Sequence, residues 1–156
     1  NNTISFGTHN SWVGLDGGST TVYSSSDQRL KENITNSTAG LSFINDLTPR
    51  TFKWKKRKDL PTTFQAYVET GEEFAEDRYN NKSTTQLGFI AQEVKTIIDN
   101  HSELPDGFEM WGKNNSENAG DEQHIGESAL IPILVKALQE ADDKIDALTA
   151  RVTALE

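Results

Sequence analysis

The sequence predicts an α+β fold with a short β-rich N-terminal end, a small mixed domain and a long C-terminal helix built to form a coiled coil. Three observations predict it. The first 22 residues place strand-favouring side chains between glycine- and aspartate-rich turns. The middle of the chain mixes helical spacings with one short alternating segment. The last thirty residues carry an apolar repeat at steps of three and four that never breaks.

The opening stretch NNTISFGTHNSWVGLDGGSTTV offers Ile4, Phe6, Trp12, Val13 and Leu15 as strand residues, with Gly7, Gly14 and Asp16-Gly17-Gly18 as turns. It holds too few apolar residues to bury a core of its own. It is expected to be the ragged end of a β-rich part lying upstream, and the first residue, Asn1 rather than Met, fits a piece cut from a longer chain. Next, RLKENI predicts a short helix or turn. Leu41, Ile44 and Leu47 recur at helical spacing, and Pro49 stops that helix. In RTFKWKKRK, Phe52 and Trp54 alternate with Arg50, Lys53 and Lys55, which predicts a half-exposed strand. The basic run Lys53 to Lys58 matches the acidic Glu69, Glu72, Glu73, Glu76 and Asp77 as two solvated arms of a hairpin. TTQLGFIAQEVKTIIDN predicts a short strand running into an amphipathic helix bearing Ile90, Val94, Ile97 and Ile98. Residues 101–126, rich in Gly, Asn, Glu and Asp, are expected to be loops with one brief strand near Phe108 to Trp111.

The C-terminal repeat places Ile131, Leu138, Ile145 and Val152 at a positions, and Leu134, Ala141, Leu148 and Leu155 at d. Pro132 is tolerated only in a first turn, so the helix should start near Ser128 or Ala129. Asp142, Asp143, Lys144, Asp146 and Arg151 flank the stripe, which favours self-association over packing on its own domain. The spacing leaves the oligomer open, since β-branched a with Leu at d also suits dimers.

Composition narrows the function. The chain has 156 residues, enough for one ordinary domain with an appendage, and a net charge of −9. That sign argues against nucleic acid, whose phosphates need a basic footprint. No apolar run nears the roughly 20 residues of a membrane span. No targeting segment is visible. Zero cysteines exclude disulfides, thiol catalysis and thiolate metal sites, so covalent chemistry must use oxygen or nitrogen. His9, His101 and His124 show no ligand spacing. No metal and no cofactor is expected.

YSSSDQRLKENI is the stretch where chemistry could reside. Taken alone, a serine or aspartate ahead of a helical turn is a cap, and Ser25 with Gln28 resembles a capping box. Ser26 and Lys31, five positions apart, fall on different faces of an α-helix. On a strand they would lie about 16 Å apart. A serine–lysine pair therefore needs a turn between them, or a lysine from a neighbouring chain.

SSSDQRLKENI, LGFIAQEV and LIPILVKALQE, followed by the heptads, occur in the order found in one family. The chain resembles the C-terminal intramolecular chaperone and autoprotease domain of bacteriophage tailspikes and tail fibres, of the endosialidase type, to which the self-cleaving domain of the myelin regulatory factor is related. The resemblance spans roughly residues 24–156, and its specific element is Ser26, Asp27, Arg29 and Lys31. It implies a homotrimer, hence a trimeric coiled coil, that holds three β-stalks in register and then cuts itself free between Ser25 and Ser26. Residues 1–25 would be the end of the upstream fibre stalk, and 26–156 the chaperone autoprotease domain, with 129–156 its coiled-coil helix. Ser26 would be the nucleophile and Lys31 its base, while Asp27 and Arg29 hold the turn. A lysine takes a proton only when neutral, and burial is what lowers an ammonium from its usual value of about 10.4. Implied partners are the chain's own copies and the upstream stalk. Assembly would occur in the host cytoplasm, with the stalk in the virion tail and the chaperone released. The alternatives are a non-cleaving structural trimerisation or receptor-attachment tip, and a metal- or sugar-binding tip using His101, His124, nearby acids or Trp111.

Overall fold

The computed structural model describes residues 3–8, 11–16, 22–104, 108–114 and 121–155, with side chains described from Ser25 onward. The chain folds as two compact units, Asn1–Asn36 and Ser37–Glu156.

The first unit is a three-stranded antiparallel sheet of β1 (Thr3–Thr8), β2 (Ser11–Asp16) and β3 (Val22–Ser24), in that order. β1 meets β2 from Thr3↔Asp16 to Thr8↔Ser11, and β2 meets β3 at Val13↔Ser24, Gly14↔Tyr23 and Leu15↔Val22. Gly7 and Gly14, expected as turns, instead sit inside strands, opposite Trp12 and Tyr23. A strand accepts an isolated glycine at some loss of stability, and the flanking Phe6 and Val13 carry the β preference. The turn expected at Gly17-Gly18 lies outside the described residues.

The second unit is α+β. It contains α1 (Leu41–Asp46), β4 (Arg50–Phe52), β5 (Gln86–Gly88), α2 (Ala91–Asn100), β6 (Trp111–Lys113), β7 (Gln123–Ile125) and α3 (Leu130–Thr153). β4 pairs antiparallel with β5, and β6 with β7. Leu41, Ile44 and Leu47 mark α1 as predicted, but the side chain fully buried there is Phe43, with Ile44 and Leu47 packed around it. The helix ends ahead of Pro49, whose ring disfavours helical backbone in the residue before it. Its first N–H groups find a partner at long range: Leu41 N–H donates to Glu140 Oε2 of α3 at 2.8 Å. Gly40 permits that approach, because a Cβ there would meet the Glu140 carboxylate at 2.6 Å.

Val94 and Ile98 on α2 join Phe43, Ala39, Leu104, Met110, Leu130 and Ile133 in one core. α3 contributes Leu130, Ile133 and Ala137, a stripe at i, i+3 and i+7. The heptad residues form a different stripe. Ile131, Leu134, Leu138, Ile145, Leu148, Val152 and Leu155 are all exposed in the single chain, Leu138 by 70%. Ala141 is half-buried. The helix therefore packs on its own unit along one side near its start and leaves the predicted seam uncovered. It is preceded by a 3₁₀ turn at Glu127–Ala129, with Pro132 in its first turn.

Two expectations change in the middle of the chain. The strand expected to include Trp54 stops at Phe52, after three residues. Between 101 and 126 the brief strand is shifted to Trp111–Lys113 and has a partner, Gln123–Ile125, making a hairpin. Phe108 and Glu109 cannot belong to it, since both have positive φ, 47° and 58°. The charged arms meet as expected: Lys56 and Lys58 both pair with Glu76, at 2.5 and 2.6 Å, and draw its carboxyl down to about 2.

Candidate active site

Ser25 and Ser26 follow β3 directly, and the next residues build a tight turn. Asp27 makes it. Its backbone is extended (φ −64°, ψ 131°), and its Oδ1 accepts the Arg29 N–H at 2.9 Å, capping a 3₁₀ turn over Gln28–Leu30. The Arg29 guanidinium then folds back on the same carboxylate, Nε donating to Oδ1 at 3.0 Å and Nη2 to Oδ2 at 2.6 Å. Leu30 N–H and Lys31 N–H close the turn on the carbonyls of Asp27 and Gln28, each at 3.1 Å. Arg29, by its side chain first and its N–H second, holds Asp27 below the usual carboxylate range. The clasp therefore keeps its charge throughout the neutral pH range.

Lys31 leaves the turn with extended backbone (φ −123°, ψ 147°), and this exit aims its side chain back along the chain. Lys31 Nζ donates to Ser26 Oγ at 2.6 Å. Helix and strand geometry both keep residues five apart from touching, and the 3₁₀ turn removes that obstacle within one chain. Ser25, Ser26, Asp27, Arg29 and Lys31 are all exposed in the single chain.

The other candidates behave differently. His101 is buried and bonded to Asp46 and Glu103. His124 lies in β7 opposite Gly112. Among the described residues no cluster of His, Asp and Glu is arranged to hold a metal. Trp111 is half-buried against the core, with its Nε1 donating to Gln123 Oε1 at 2.9 Å. A cleft of about 780 Å³ is lined by Phe52, Trp54, Phe64, Tyr79 and Phe89. Its rings pack edge-on or tilted at 5.2 Å (Phe52–Trp54 and Trp54–Tyr79), an arrangement that supports the β4–β5 region. Among the described residues no helix is long and apolar enough to cross a membrane.

The family model described as chaperone of endosialidase matches residues 26–103. The chain belongs to the chaperone of endosialidase family. The match opens at Ser26, on the C-terminal side of the predicted scissile bond, and runs through α1, β4, β5 and α2. No curated protein and no solved structure matches the chain. Membership in the endosialidase-chaperone family gives the chain an intramolecular chaperone role, associated with a phage tail-fibre stalk, in a family classed among the peptidases.

Proposed function

We propose that this endosialidase-type chaperone domain trimerises, sets the register of a tail-fibre or tailspike β-stalk, and then releases itself by cutting between Ser25 and Ser26. The observation that carries the reading is the 2.6 Å contact between Lys31 Nζ and Ser26 Oγ across the Asp27–Arg29 clasp. A serine hydroxyl becomes a useful nucleophile when a base within hydrogen-bond reach takes its proton. Neutral Lys31 takes the Ser26 hydroxyl proton while Oγ attacks the Ser25 carbonyl carbon. The Ser25–Ser26 C–N bond then breaks, and the proton passes to the departing amide nitrogen, which becomes the new α-amine of Ser26. An ester now joins the Ser25 acyl carbon to Ser26 Oγ. Water hydrolyses it, leaving a carboxylate on Ser25 and a free hydroxyl on Ser26.

Exposure of the pair in a single chain supports coupling to assembly. A lysine serves as base only as the neutral amine, which burial favours, and neighbouring chains that cover the turn would supply that burial. The uncovered seam of Ile131, Leu134, Leu138, Ile145, Leu148, Val152 and Leu155 supports the trimer. A stalk of intertwined strands has high contact order, and tethering its ends in a trimer raises their local concentration.

Denaturing gels of freshly made variants test the dyad. Lys31→Ala and Lys31→Arg should each run as one long chain, since guanidinium stays protonated and cannot serve as base. Ser25→Ala should still yield two pieces, because only the carbonyl of that residue reacts. One band from every form, wild type included, would leave a non-cleaving trimerisation tip. Two bands from Lys31→Arg would remove the lysine from the mechanism.

A further inference from the structure

His101 closes α2, its N–H donating to the Ile98 carbonyl at 3.0 Å, and the residue is 8% exposed. Both ring nitrogens face carboxylates. Nδ1 lies 2.6 Å from Glu103 Oε1, and Nε2 lies 2.8 Å from Asp46 Oδ2, the last residue of α1. The ring also stands edge-on to Phe43, centroids 5.3 Å apart at 87°. A neutral imidazole has one N–H and one lone pair, so it can donate to only one of these acids and must turn its lone pair on the other. Only the imidazolium satisfies both.

We propose that His101 is an imidazolium latch that ties the end of α1 to the end of α2, so that loss of its proton at alkaline pH loosens the unit carrying α3. The charged groups around it are few. α1 supplies Asp46 and the turn after α2 supplies Glu103, and among the described residues each of these pairs with His101 alone. On α2, Asp99 is engaged by Lys95. α3 faces the same core with Leu130 and Ile133, and its Glu140 and Lys136 act at the opposite end of α1. Deprotonation would thus leave a buried neutral ring between two carboxylates, with no other cation paired to either among the described residues.

The Glu103 bond, then the Asp46 bond, raise His101 above its ordinary value, against a smaller opposing effect of burial. A group raised in the folded state stabilises fully below its unfolded value, about 6.5, and loses that contribution as pH climbs through the folded value. The consequence reaches α3 because α1 is fastened at both ends. Its start is held by Glu140 of α3 and its finish by His101.

The test uses the full chain with Ser26→Ala, so that cleavage does not change the species being melted. Thermal midpoints at about pH 6 and about pH 9 should differ, the alkaline one lower by about 2 °C or more. His101→Gln should remove most of that difference, as should Asp46→Asn with Glu103→Gln, where amides satisfy a neutral ring. Nitrogen-detected NMR of the unsubstituted ring serves if a variant does not fold. Both ring nitrogens should carry protons at neutral pH, with the titration midpoint above the ordinary value. A midpoint at or below about 6.5, or the same alkaline loss in His101→Gln, overturns the latch.

Discussion

At the scale of single residues, Asp27 and Arg29 build the turn from which Lys31 leaves, and their side chains bond to each other rather than to Ser26. The carboxylate caps the turn through Arg29 N–H and is clasped by the same residue's guanidinium. Removing either partner frees the turn to open, and the lysine then reaches Ser26 in a smaller fraction of the chains. Asp27→Ala and Arg29→Ala should therefore slow self-cleavage by about tenfold or more while leaving slow cutting measurable. A time course on gels separates this from Lys31→Ala, which should show no cutting at all. The motif was legible in the sequence, but its closure was not. Five-residue spacing excluded helix and strand contacts and left open a lysine from another chain. Only the exit direction of Lys31 after the 3₁₀ turn brings the two atoms together. The Asp46–His101–Glu103 grouping was not legible, because Asp46 lies 55 positions from His101 and no local period links them.

At the scale of elements, α3 separates two apolar jobs that share one helix. Leu130, Ile133 and Ala137 serve the core, while the heptad residues beside them remain uncovered. Charge placed on each stripe should have different effects. Leu138→Asp with Ile145→Asp should give a folded monomer, with helix content retained near α1 and α2 and the trimer mass lost by light scattering. A persistent trimer would mean that the coiled coil is not what joins the chains. Phe43→Ala acts on the other stripe's partner. Phe43 is 0% exposed, and its truncation should cost about 3–5 kcal/mol, a large share of a typical domain's stability, and lower the melting temperature whatever the oligomer. The helices could be read in advance because a 3.6-residue period is local and α3 repeats it through many turns. The β6–β7 hairpin could not, since three-residue strands are too short to display alternation and residues 114–122 between them carry no large apolar side chain.

For the whole molecule, the proposed function is one sequence of events, in which assembly would precede cutting and cutting would make assembly hard to reverse. Under that proposal, a finished stalk would outlast the chaperone's release by virtue of a high unfolding barrier. Deleting residues 26–156 from the full-length gene should therefore give insoluble or misassembled fibre. Supplying them as a separate chain should rescue poorly, because the effective concentration that the tether creates is missing. In the proposed function, Ser26 cuts its own chain using Lys31 once the trimer has formed. Intact-mass measurement of freshly assembled wild-type protein, beside the Leu138→Asp/Ile145→Asp monomer and Ser26→Ala, tests it most directly. Two fragments whose masses meet at the Ser25–Ser26 bond in the wild type, with single unbroken chains in both variants, is the predicted result. Fragments from Ser26→Ala or from the proven monomer would contradict it.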